Sequence, residues 1–258
     1  MSDESVVSGI VAADVLQTFI DVHTELVDEG RIHFNDTGLR TSVVDPANVA
    51  MHSPVELSRD AFEHYESPGS VTLGVDFNRL DEILDVADSG TLIEFSINME
   101  TRHLELRFDG VEQSVVMIDP DSIRGEPDTN DLDLPNTVVL SGKQIDRALT
   151  VADLNSDHVN LVGYTDHADG EVVAFEADGD TDSGRVGYRD EDCIAADVSD
   201  AVESIFSLDY WVDLLNAAPD DAKVELQFGD EFPVYIQWQA CDGHLSVNSM
   251  LAPRIQSK

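Results

Sequence analysis

Four segments of the chain place apolar residues at i, i+3, i+4 and i+7, the spacing that lines one side of a 3.6-residue helix. They are Leu16, Phe19, Ile20 and His23; Leu80, Ile83, Leu84 and Ala87; Ile145, Ala148, Leu149 and Ala152; and Trp211, Leu214, Leu215 and Ala218. Each predicts a short amphipathic helix. Between them the pattern changes to alternation or to β-branched runs: Arg31 to Phe34, Leu39 to Val44, Leu92 to Ile97, Leu104 to Phe108, Ser114 to Ile118, Glu171 to Ala177, Lys223 to Phe228 and Val234 to Gln239. Turn pairs such as Asn35-Asp36, Asp109-Gly110 and Asp242-Gly243 punctuate these runs, which predict strands.

The first members of the four stripes, Leu16, Leu80, Ile145 and Trp211, are separated by 64, 65 and 66 residues. Near-constant spacing means one helix-plus-strands unit used four times, and a unit apolar on one side needs a neighbour to cover it, so two units make a domain. Asp119 to Asn136 interrupts the series. It holds Pro120, Pro127 and Pro135 with dispersed acids, among them Asp121, Glu126, Asp128, Asp131 and Asp133, and reads as an extended surface connector. The expected organisation is a domain over 1–118, a connector over 119–136 and a second domain over 137–258. The fold class is α+β, with two short helices per domain laid against antiparallel sheets.

Composition alters the functional picture more than the fold. The 258 residues carry 14 Lys and Arg against 53 Asp and Glu, a formal charge of −39, with acids spread through the chain and lysine confined to Lys143, Lys223 and Lys258. A surface this negative repels phosphates and anionic lipid in ordinary buffer, which argues against electrostatically driven nucleic-acid or membrane binding. At molar salt the Debye length shrinks to about 3 Å and the repulsion collapses. The dispersed acid is the surface of a protein adapted to a halophile's cytosol. Cys193 and Cys241 are too few for a disulfide framework, and the polar, acidic Met1 to Ser5 lacks the features of a signal peptide. A soluble, cytoplasmic protein is expected.

Candidate chemistry is sparse. The eight histidines include no HxxxH or HExxH pair, so no metal is expected. Asp178, Asp180 and Asp182 have the opening spacing of a calcium loop, but the glycine falls at Gly184 and Arg189 stands where the loop needs a glutamate. A solvated hairpin turn is the expectation there. No GxSxG, paired Cys and His, or Walker-type glycine loop occurs, so neither an enzyme nor a cofactor is expected.

Three strings then carry a resemblance: Val-Asp-Pro-Ala-Asn-Val-Ala-Met from Val44 to Met51, Ile-Asp-Pro-Asp-Ser-Ile-Arg from Ile118 to Arg124, and Leu-Ala-Pro-Arg-Ile-Gln from Leu251 to Gln256. Phe206 to Tyr210, before the fourth helix, adds to it. Together with the fourfold repeat they resemble the archaeal sliding clamps, the family of proliferating cell nuclear antigen. The resemblance implies two clamp domains of like topology per subunit and three subunits in a closed, head-to-tail ring around duplex DNA. It also implies a processivity factor that docks DNA polymerase, clamp loader, nuclease and ligase through short hydrophobic motifs.

By the same resemblance, partners dock in a groove lined by Val44, Asn48, Met51, Ile123, Pro127, Pro233, Met250, Leu251, Ala252 and Pro253. Met250 stands where relatives often place an aromatic ring. Ring closure would pair the edge strand Val111 to Ile118, with Glu112, Val115 and Val116, against Ser183 to Arg189 of the next subunit, with Arg185, Val186 and Arg189. The helices offer the duplex only Arg79, Lys143 and Arg147, set among many carboxylates, so DNA contacts are expected to be weak and enclosure topological. The alternative function is a clamp-like subunit of a heteromeric ring, or an interaction protein that titrates partners.

Overall fold

The computed structural model describes residues 6–98, 100–128 and 132–254; Asp131 of the connector and Ile255 and Gln256 of the terminal string lie outside them. Among the described residues the chain runs β1 (Val6–Ala12), α1 (Ala13–Thr24), β2 (Glu29–Asn35), β3 (Gly38–Val44), β4 (Ala50–Ser58), β5 (Phe62–Glu66), β6 (Val71–Asp76), α2 (Phe77–Leu84), β7 (Leu92–Asn98), β8 (His103–Phe108) and β9 (Val111–Val116). It continues with β10 (Asn136–Ser141), α3 (Gly142–Asp153), β11 (His158–Gly163), β12 (Glu171–Asp178), β13 (Ser183–Arg189), β14 (Ala195–Val198), β15 (Val202–Ser207), α4 (Leu208–Leu215), β16 (Lys223–Phe228), β17 (Val234–Ala240) and β18 (Leu245–Leu251). The described residues within Met1–Pro46, His52–Pro127 and Ala240–Val247 pack into one compact unit, and those within Ala47–Met51, Asp128–Gln239 and Asn248–Lys258 into another.

Both units are α+β and share one antiparallel pairing scheme. In the first, β1 lies between β5 and β7, the sheet continues to β8 and β9, and β2 lies between β3 and β6. In the second, β10 lies between β14 and β16, β16 pairs with β17, and β11 lies between β12 and β15 with β13 beyond β12. The partners of β1 and β2 in the first unit thus reappear around β10 and β11 in the second. Close packing is written into single residues: Gly9 lies opposite Phe95, and a Cβ there would sit 2.6 Å from the Phe95 ring.

Each helix starts directly from a strand, and its entry is held by the segment that follows its partner helix. The Ala13 amide donates to the Thr91 carbonyl and that of Phe77 to Asp28, at 2.8 and 2.9 Å; in the second unit Gly142 donates to Ala222 and Leu208 to Asp157, at 2.9 and 3.0 Å. Helix N-termini leave amides without intrahelical partners, so this exchange satisfies one per helix and ties the helices in pairs. Side chains add caps at two entries. Asp76 accepts from the Arg79 amide, and Ser141 and Gln144 form a capping box. The stripes mostly turn inward: Ile145, Ala148, Leu149 and Ala152 are all buried on α3. Leu16 is only half-buried, and Ala87 and Ala218 fall beyond the two-turn helices α2 and α4.

In the first unit the α1 stripe ends in a buried imidazole. His23 stacks on Phe77 with centroids 4.4 Å apart, its Nδ1 donates to the Phe19 carbonyl at 2.8 Å, and its Nε2 accepts from the Thr41 hydroxyl at 2.6 Å. His52 meets it edge-on at 6.2 Å. Burial pushes both rings down, His23 to about 4 and His52 to about 3, with the neighbouring imidazole adding to the second shift. Both stay neutral at pH 7.

Two expectations shift by a few residues. The strand expected over Ser114 to Ile118 is β9, which starts at Val111 because Asp109 and Gly110 take positive φ and close the hairpin there. Ile118 instead makes an isolated bridge to Gly74. Asn136, expected to end the connector, is the buried first residue of β10, where its amide oxygen accepts from Ser199 and Asp200. The segment between Asp178 and Ser183 is a turn closed by the Gly179 amide on the Asp182 carbonyl.

Candidate functional surfaces: helix faces, sheet edges and connector

The three cations expected to face DNA are all exposed on helices. Arg79 on α2 is already paired, 2.7 Å from Glu82 one turn on, while Lys143 and Arg147 share α3. The α1–α2 pair is closed by polar contacts. Gln17 Nε2 donates to Asp21 at 2.7 Å and also to Asp81 of α2. Burial raises the Asp21 carboxyl to about 6, with Asp81 and Asp85 pushing the same way and the Gln17 bond opposing. This face is acidic even where its side chains are half-buried.

The residues expected at a subunit interface sit on strands at sheet edges. β9 ends the order β5-β1-β7-β8-β9, and β13 ends β13-β12-β11-β15. An edge strand presents unpaired backbone donors and acceptors, a template for another strand. On β9, Glu112 and Val116 are exposed, Val116 at 68%, and Val115 is half-buried. Glu112 lies 3.8 Å from Arg107 of its own sheet. On β13, Val186 is half-buried and Arg189 reaches Glu191 at 3.8 Å.

Arg185 on β13 is engaged within its own unit, in a network that the sequence pattern does not assign. It forms a two-pronged pair with Glu171 and donates to Glu176 at 2.7 Å, while Tyr164, whose ring lies 5.8 Å beneath the guanidinium, donates to the same Glu176 oxygen. The guanidinium holds the Glu171 carboxyl below its usual range. Gly187 makes the arrangement possible, since a Cβ there would lie 2.3 Å from Glu171. Glu171 and Glu176 sit on β12 directly across from β13, which was the available signal.

The first half of the connector is strapped to the first unit. Arg31 on β2 donates to the carbonyls of Pro120 and Ile123 at 2.8 and 2.9 Å, Arg124 donates to the Asp45 carbonyl at 2.7 Å, and His33 pairs with Glu126. Asp119 is held by Arg102 at 2.8 Å. Between strap and sheet lies a cavity of about 280 Å³ whose walls include Val44 and Ile123. Arg31, His33 and Arg124 do not stand out in the sequence; in a chain with 14 cations, an arginine inside the connector was the clue.

The other residues of the expected partner groove divide by unit. In the first, Val44 and Ile123 are buried and Pro127 is half-exposed. In the second, Asn48 is exposed, Pro233, Met250, Ala252 and Pro253 are half-buried, Met51 is 9% exposed, and Leu251 has no exposed surface. The terminal segment runs on from β18 through the Ala252 amide on the Val49 carbonyl and the Arg254 amide on Ile205. Leu251 is core, and the side chains beside it carry the accessible surface.

Among the described residues no helix is long and apolar enough to cross a membrane. The family described as proliferating cell nuclear antigen, N-terminal domain, matches residues 8–120. The chain is 44% identical to a DNA polymerase sliding clamp of Haloarcula marismortui over 97% of this chain and 99% of that protein, and 45% identical to that of Halobacterium salinarum over 96% and 98%. The solved structure of A. fulgidus PCNA with the C-terminal region of FEN-1 bound superposes with a TM-score of 0.90 at 32% identity, covering 98% of this chain and all of that one. Paired helices, a repeated sheet scheme and near full-length likeness agree: the chain belongs to the proliferating cell nuclear antigen family of DNA polymerase sliding clamps.

Proposed function

We propose that three copies close head-to-tail into a homotrimeric ring around duplex DNA, β9 of one subunit adding to β13 of the next. Each subunit is read as clamp domains over 1–118 and 137–258 joined by the connector 119–136. The ring acts as a non-catalytic processivity factor in the cytoplasm, holding DNA polymerase and docking clamp loader, nuclease and ligase. The unlike edges β9 and β13, two of the six terminal strands of the sheets, within a family of named sliding clamps, support this reading, because a heterologous contact repeated by rotation closes a ring. Arg79, Lys143 and Arg147 make the DNA contacts, which are few because enclosure replaces grip.

On primed circular DNA the assembled protein should stay bound and should run off once the circle is cut; equal release from both forms would sink the ring. Replacing Arg79, Lys143 and Arg147 together with Gln should flatten the salt dependence of retention, by about 0.9 in log slope for each phosphate no longer neutralised, with the assembled mass unchanged. Disassembly instead would assign these side chains to the joints between subunits.

Partner motifs dock on residues of the expected groove: the half-exposed Pro127, Pro233, Met250, Ala252 and Pro253 and the exposed Asn48 offer accessible surface, while Val44, Met51, Ile123 and Leu251 are buried within their own units. That the A. fulgidus relative holds the C-terminal region of FEN-1 supports this role. Met250→Ala should weaken a docking peptide by about 1–3 kcal/mol with little change in melting temperature. Leu251→Ala should do the reverse, removing about 2–5 kcal/mol of stability because it empties a filled core site. Calorimetry beside thermal melts separates the two, and unchanged peptide affinity in Met250→Ala would move the groove elsewhere.

A further inference from the structure

The two helix pairs, alike in topology, differ in closure. Aligning their stripes sets Gln17 of α1 against Asp146 of α3, Asp21 against Thr150, and Asp81 of α2 against Val212 of α4. In the first unit Gln17 reaches across to Asp81 and seals the seam. In the second a carboxylate faces the valine position, no such bridge forms, and a cavity of about 420 Å³ opens between α3 and α4. Its floor is apolar, from Leu149, Leu215 and Ala218, and Val212 on its wall is 48% exposed.

The rim has one sign of charge. Asp146, Asp153 and Asp220 line the cavity, all three are exposed, and none forms an ion pair among the described residues. No Lys or Arg lines it. Asp146 and Asp153 are two turns apart on one side of α3, about 10 Å along the helix axis. An occupant therefore needs an extended chain in which methylene segments, for the floor, alternate with cationic groups that reach the rim. A bare metal ion would leave the floor unused, and an apolar ligand would leave the carboxylates without counter-charge.

We propose that the α3–α4 cleft binds a linear aliphatic polyamine, its methylenes over Leu149 and Leu215 and its ammonium groups at Asp146, Asp153 and Asp220. Spermidine has terminal nitrogens separated by about the span of the two α3 carboxylates. The ammonium hydrogens donate to carboxylate oxygens, so the bonds are charge-assisted. In the first unit the Gln17 side chain occupies the seam. This site is independent of ring assembly and of the groove that docks partners.

The test is titration calorimetry with spermidine at fixed ionic strength in KCl, on the whole chain and on the double variant Asp146→Gln with Val212→Asp. That variant restores the Gln17–Asp81 arrangement to the second unit and leaves net charge unchanged. The wild type should show one saturable site per chain, weakened at least tenfold in the variant. Asp153→Asn with Asp220→Asn, at two exposed positions, should lose affinity in the same way and gives the answer if the first variant folds poorly. Equal spermidine binding by wild type and the folded variants, or matching displacement of spermidine by Mg²⁺, would overturn the site in favour of unspecific counterion attraction to an acidic surface.

Discussion

Lowering the pH from 7 to about 4.5 should cost the first unit roughly 4 kcal/mol of stability through His23 and His52. Both rings are fully buried with folded-state values near 4 and 3, against about 6.5 when the chain is unfolded. A group whose folded value is depressed takes up protons more readily unfolded, so each histidine withdraws stability as pH falls from 6.5 towards its folded value, at about 1.4 kcal/mol per pH unit. Because the rings touch, the two contributions are less than additive. Asp21 opposes them: its carboxyl, raised to about 6, is relieved of unfavourable ionisation in the same window. Half-exposed, it returns only about 1 kcal/mol after solvent screening. Chemical unfolding at several pH values, with imidazole nitrogen shifts recorded in the native protein, checks the argument. A His23 ring that is cationic in the folded state at about pH 5.5 would sink it.

The fold was legible where side chains face two environments. The α3 stripe alternates buried and solvated positions at helical spacing, and all four of its apolar members are buried. Likewise β2 and β7 alternate cleanly between exposed and buried positions, and both were found from pattern. The strands β4, β5, β11, β14 and β18 were not, and neither were β1, β6, β10 and β15. Each of these last four passes into a helix with no loop, so little marks the change of period: Gly142 opens α3, and Asp76, Ser141 and Ser207 stand at the helix entries. The resemblance brought out the edge strands, the helix cations and the terminal segment, since no local pattern separates a docking residue from a core one. Leu251 shows the difficulty: it lies between Met250 and Ala252 in one string, yet strand alternation turns it wholly inward while its neighbours keep exposure. Arg185 shows another. Its charge suggested a cross-subunit partner, but two glutamates on the adjacent strand of its own sheet claim it first.

That intramolecular claim bears on assembly, because it leaves the proposed ring with little charge attraction across its seams. Arg185 is saturated by Glu171 and Glu176, Arg189 lies near Glu191, and Glu112 near Arg107. What remains between β9 and β13 is backbone pairing over a six-residue and a seven-residue edge, with Val115, Val116 and Val186 beside it. Each such hydrogen bond nets only about 1 kcal/mol. Against this stands the mutual repulsion of three chains of formal charge −39. At 1 M salt the Debye length is about 3 Å and only neighbouring carboxylates feel one another; at 0.01 M it is about 30 Å and repulsion acts across whole subunits. The intrachain cores are better protected, since separating them requires exposing buried residues such as Trp211 and Phe77. Subunits should therefore part before either unit unfolds. Sedimentation across a KCl series should show trimers at molar salt, monomers with native circular dichroism near 0.01 M, and trimers again when salt is restored. A trimer that persists unchanged at the lowest salt would mean that the seam holds attractive contacts beyond backbone pairing and three valines. A chain that is monomeric at every salt concentration would instead favour the heteromeric-ring alternative, in which β9 and β13 await a different partner.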